Sequence, residues 1–110
     1  MPRYYYRKLV RDRIPELISG EGCPHRVRKL SETAYARALR AKILEEAYEL
    51  SSAKGKKALL NELIDLQELV ESFRMLLGIK PKSFQAEVKR KRRERGGFKK
   101  RLFLEYVDEL

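Results

Sequence analysis

Apolar positions recur at helical spacing over most of the chain. Between Glu32 and Ala53, Leu39, Ile43 and Leu50 share one face. Between Lys57 and Leu77 the stripe is Leu59, Leu63, Leu66, Val70, Phe73 and Leu77. Ser31 suits the N-cap of the first helix, and Lys54-Gly55-Lys56 reads as the turn between the two. Gly78-Ile79-Lys80-Pro81 breaks the second. A short helix is expected from Pro15 through about Ser19, closed by Gly20 and Gly22. Another is expected from Pro81 or Lys82 to Arg95, ended by Gly96-Gly97. Residues 26–30 alternate apolar and basic, and residues 101–106 are rich in Leu, Phe and Tyr. Both read as short β segments, or as an extended arm and a docking tail. The expected fold is therefore mainly all-α. It is one domain over residues 1–110, with an antiparallel helical hairpin completing a four-helix bundle by oligomerisation.

Some acids interrupt this pattern. Glu45-Glu46-x-x-Glu49 and Glu62-x-x-Asp65 fall in the two long helices. At about 100° per residue, Glu46 projects roughly 20° from Leu39, in the middle of the apolar stripe. Glu49 lies at the edge of that stripe. Glu62 lies on the flank of the second, and Asp65 beside Leu69 and Leu76. Glu45 projects well away. A buried carboxylate is costly unless something compensates its charge. Two i,i+3 acidic pairs on facing helices would make an oxygen-rich cage suited to a hard divalent cation. The bland alternative is a solvated face of Glu–Lys pairs.

Composition narrows the chemistry. Cys23 is the sole cysteine and His25 the sole histidine, so zinc sites and Cys–His catalysis lack residues. Cys23 reads as a small packing residue. Neither Gly20-Glu21-Gly22 nor Gly96-Gly97 has the spacing of a P-loop. No apolar run is long enough for a membrane span, and the first residues lack the apolar core of a signal peptide. A cytoplasmic protein without membrane contact is expected. The 26 Lys and Arg outnumber 16 Asp and Glu, for a formal charge of +10 concentrated at the two ends. Ion-pair networks, a nucleic-acid surface and triphosphate recognition all fit that excess. Tyr4, Tyr5, Tyr6 and Tyr35 could stack on a base, although Tyr35 heads the apolar stripe.

The two acidic blocks do not stand alone. Lys8-Leu9-Val10-Arg11-Asp12-Arg13-Ile14-Pro15-Glu16 precedes them, and Glu94-Arg95-Gly96-Gly97-Phe98-Lys99-Lys100-Arg101-Leu102 follows. In that order the acidic motif and its two flanks resemble the MazG-like all-α nucleoside triphosphate pyrophosphohydrolases. The nearest likeness is to a small single-domain branch similar to phosphoribosyl-ATP pyrophosphohydrolases. The resemblance implies hydrolysis of a nucleoside triphosphate to the monophosphate and pyrophosphate, with Mg²⁺ (or Mn²⁺) as cofactor. It implies Glu46, Glu49, Glu62 and Asp65 as metal ligands, with Glu46 catalytic and Glu45 supporting catalysis or orienting water. Lys8, Arg11, Arg13, Arg92 and Arg95 become phosphate contacts, and a homodimer or higher homo-oligomer is expected. Asp12 could organise its neighbouring arginines, cap the Pro15 helix or bind metal. The wider family implies a house-cleaning role on noncanonical nucleotides, with phosphoribosyl-ATP as the alternative substrate. The gap between the acidic blocks is short for such enzymes, which leaves little loop for base selection. From another class, the alternative is a basic helical protein that binds nucleic acid without catalysis.

Overall fold

Ser31 opens the longest part of the fold. Its hydroxyl accepts a hydrogen bond from the Ala34 amide at 3.2 Å, satisfying one of the free N–H groups of the first turn. The computed structural model, which describes residues 2–109, has four helices and no strand among them. These are α1 (Ile14–Gly20), α2 (Glu32–Ser52), α3 (Lys56–Leu76) and α4 (Pro81–Arg95). The fold is all-α. Residues 26–30 and 101–106 carry no strand and make no ladder, contrary to the sequence expectation. The alternation at 26–30 and the apolar content of 101–106 are real, but neither segment has a partner edge to supply backbone hydrogen bonds. None of the helices in the described residues is long and apolar enough to cross a membrane.

The chain forms two compact units, one running to Leu77 and one starting at Gly78. In the first, α2 and α3 are 21 residues each, so each is about 30 Å long and they match end to end as a hairpin. Gly55, at φ 89°, makes the reversal between them in a backbone region that residues with a Cβ avoid. The Ser51 and Ser52 hydroxyls both donate to the Tyr48 carbonyl and tie down the last turn of α2. Short α1 carries Pro15 in its first turn and ends in a Schellman motif around Gly22, with the Cys23 amide donating to the Ile18 carbonyl. The N-cap of α1 is Arg13, without a side-chain capping bond, so Asp12 does not cap it. Cys23 is exposed, not a packing residue.

The core of this unit is thin. Leu39, at 1 % exposure, is its only buried hydrophobic residue among those described. Leu66, Leu69, Phe73 and Leu76 of α3 are half-buried. The apolar stripe of α3 is wider than one neighbouring helix covers. Leu59, Leu63, Val70 and Leu77, four of the six residues expected in it, stay open, as do Leu60 and Ile64. On α2, Leu44 and Tyr48 are each 73 % exposed.

In the second unit, Pro81 sits in the first turn of α4, and Arg92, Arg93 and Arg95 occupy the last turn, where cations suit the helix dipole. Gly96, at φ 82°, ends the helix. The chain beyond it is exposed and irregular.

Candidate metal centre

Helical spacing brings the acids together. Glu45, Glu46 and Glu49 each offer an oxygen within 4.8 Å of the others, and so do Glu46, Glu62 and Asp65. Glu46 belongs to both triads. It lies one heptad after Leu39 on the buried seam of α2, and it is 6 % exposed. Glu62 and Asp65 reach toward it from α3 and are half-buried. Glu62 and Asp65 thus meet Glu46 across the hairpin, and Glu45 and Glu49 flank Glu46 on α2 itself.

The electrostatics of this cluster are unfavourable by themselves. Burial first, then a hydrogen bond to Glu62, then the charges of Glu49, Asp65 and Glu62 raise the Glu46 carboxyl from 4.5 to about 7. Two carboxylates can share a hydrogen bond only when one of them is protonated. With both ionised, Oε2 of Glu46 and Oε2 of Glu62 are buried without a donor.

Basic side chains answer part of this charge. Lys8 Nζ lies 3.6 Å from Glu45 and Lys42 Nζ 3.4 Å from it, while Lys42 approaches Glu46 only to 4.0 Å. Lys8 also rests 5.9 Å from the centre of the Tyr6 ring. Arg11 donates to Asp65 Oδ1 at 2.8 Å, across 54 residues of sequence. Of the expected phosphate contacts, Lys8 and Arg11 therefore stand at the acids. Arg13 instead pairs with Glu16 at the start of α1 at 3.3 Å, and Arg92 and Arg95 lie exposed on α4 in the other unit. Lys42 was absent from the sequence reading. Its signal was there, because a lysine three and four residues before Glu45 and Glu46 shares their face.

The donor set fits a hard cation. Its ligands are carboxylate oxygens from two helices, two of those oxygens are buried without a partner, and their summed charge exceeds what the neighbouring cations offset. A merely solvated acidic face would leave Glu46 in water.

Comparison with known proteins adds little to this geometry. The chain is 49 % identical over 53 residues to an uncharacterized protein of Mycolicibacterium smegmatis. That match covers 48 % of this chain and 54 % of the relative, about half of each. No family model matches, and no solved structure does.

Proposed function

We propose that this chain is a Mg²⁺-dependent nucleotide pyrophosphohydrolase, acting in the cytoplasm, that converts a nucleoside triphosphate and water to the monophosphate and pyrophosphate. One observation carries the reading: Glu46 is buried on an apolar seam, shared by two acidic triads, with an oxygen left unpartnered. A divalent cation held by Glu46, Glu49, Glu62 and Asp65 would offset their charge, bind phosphate oxygens and make a bound water more acidic. Mn²⁺ can take the same oxygen ligands. The chain's own residues supply position and charge, the main requirements of phosphoryl chemistry. Lys8 and Lys42 hold the Glu45 carboxylate in place, where it can orient the attacking water and accept its proton. Arg11 and Lys8 bring cations to an otherwise anionic site, as a highly charged phosphate substrate requires. The bond broken is the anhydride between the α- and β-phosphates, and the water oxygen ends on the monophosphate. Phosphoribosyl-ATP contains the same anhydride and is the alternative substrate.

The open face of the hairpin supports association. Leu59, Leu60, Leu63 and Ile64 of α3, with Leu44 and Tyr48 of α2, are apolar and exposed. A second copy would cover them and complete a four-helix bundle.

The direct test is pyrophosphate release from a panel of nucleoside triphosphates and phosphoribosyl-ATP, with and without Mg²⁺ or Mn²⁺. Metal-dependent formation of monophosphate and pyrophosphate is the expected result. Absence of turnover across the panel with either metal, or full activity in Glu46→Gln, would overturn the assignment. Light scattering on the same sample should give the mass of a dimer or larger assembly.

A further inference from the structure

Against the buried acidic centre, the second unit presents charge of the opposite sign, and presents it to water. From Gly78 to the end it has eleven Lys and Arg against five Asp and Glu. These cations are not scattered evenly over α4. Arg90 is held by Glu87 at 2.6 Å and by Glu94 at 2.9 Å, along one flank. Lys82, Lys89 and Arg93 fall within about 40° of one another on another face. Phe84 and Val88, the half-buried residues of the helix, point roughly the opposite way.

Lys82, Lys89 and Arg93 line one shallow groove together with Gln85 and Ala86. None of the three has a carboxylate partner among the described residues. From Lys82 to Arg93 the stripe is about 16 Å long, the reach of four or five stacked nucleotides of one strand. A stripe of unpaired cations beside a flank of self-neutralised ones is a ready surface for a phosphate backbone. Just past the helix, Phe98 is 96 % exposed and Phe103 89 % exposed, with Lys99, Lys100 and Arg101 between them. Aromatic rings interleaved with cations match unpaired bases, which stack on rings while their phosphates meet the charges. A duplex keeps its bases stacked on one another and offers an aromatic ring no free base face.

We infer that α4 and the segment after it form a binding surface for single-stranded nucleic acid, with Lys82, Lys89 and Arg93 on the phosphates and Phe98 and Phe103 against the bases. None of these five residues belongs to the acidic centre, so this surface stands or falls independently of the hydrolase reading.

The test is fluorescence anisotropy of a labelled single strand of about 20 nucleotides with the full chain, titrated from roughly 50 to 200 mM salt. The variant K82Q/K89Q/R93Q should bind at least tenfold more weakly at low salt, with the salt slope reduced by about 2. A control, K54Q/K56Q/K57Q, removes the same charge from the hairpin turn and should bind as the parent does. Phe98→Ala with Phe103→Ala should weaken the single strand while leaving duplex binding unchanged. Circular dichroism confirms that each variant keeps its helix content. Equal loss in the two charge variants would reduce the effect to net charge and overturn the assignment. Tighter binding to duplex than to single strand would overturn it as well, as would binding to anionic phospholipid vesicles with none to the oligonucleotide.

Discussion

The α2–α3 hairpin and the unit built on α4 both depart from neutral, ordinary surface, in opposite ways. The hairpin places acids where leucine belongs, and one of them is nearly sealed from water. On α4 every Lys and Arg is exposed, and the fold itself asks nothing of most of them. The difference teaches where charge is informative. A solvated cation is stable almost anywhere, so its meaning lies in which surface it joins. A buried carboxylate opposes folding, so its position alone asks for an explanation.

The comparison breaks most sharply at Glu46. Glu46→Gln keeps shape and removes charge, and it should lower kcat/KM for the preferred nucleotide by at least about a hundredfold. Removing Arg93 should leave that turnover within about twofold. Stability should separate the units next. Leu39→Ala empties the one fully buried hydrophobic site of the hairpin and should cost about 3 kcal/mol in urea unfolding. Phe98→Ala, fully in water, should cost almost nothing by the same measurement.

Proton and metal linkage give a third contrast of similar size. The Glu46 carboxyl is raised in the folded state, so the folded protein binds more protons than the unfolded chain between pH 4.5 and about 7. Stability of the chelator-treated protein should therefore fall as pH rises through that window, by on the order of 3 kcal/mol from this group. The decline should flatten in Glu46→Gln when melting curves are recorded against pH. Saturating Mg²⁺, at about a hundred times its Kd, should return roughly 2.7 kcal/mol to the parent at pH 8 and little to Glu46→Gln. The smallest effect belongs to the second unit. Arg90→Gln dissolves its pairs with Glu87 and Glu94, which are exposed, and should leave the urea-unfolding midpoint nearly unchanged.

Local signals made the helices legible in sequence. Ser31 acts through its hydroxyl, and Gly55, Gly78, Pro81 and Gly96 through their own backbone chemistry, so α2, α3 and α4 begin and end within a residue or so of where the sequence places them. The anomaly at Glu46 was legible too, because its angle to Leu39 needs only the period of a helix. The face that α3 turns toward α2 was harder to read. Its apolar stripe is broad, and of the six residues periodicity placed in it, Leu59, Leu63, Val70 and Leu77 remain exposed. Leu66 and Phe73 of that stripe do face the seam, and Glu62, Asp65 and Leu69 join them there. Burial of a wide stripe depends on how many neighbours a helix has, and a single sequence does not state that number. The same limit hid the bond from Arg11 to Asp65, which joins residues too far apart in sequence for any local pattern. Alternation at 26–30 suggested a strand, yet a strand exists only where another edge receives it.

The heptad step from Leu39 to Glu46 has a consequence for any attempt to evolve this protein. Leucine at position 46 would fill a seam already shaped for it and remove an acid that resists burial. A library screened for survival of heating in the absence of metal should converge on that substitution and return a robust, inert protein. A library screened for turnover should keep the acid and tolerate the lower melting point.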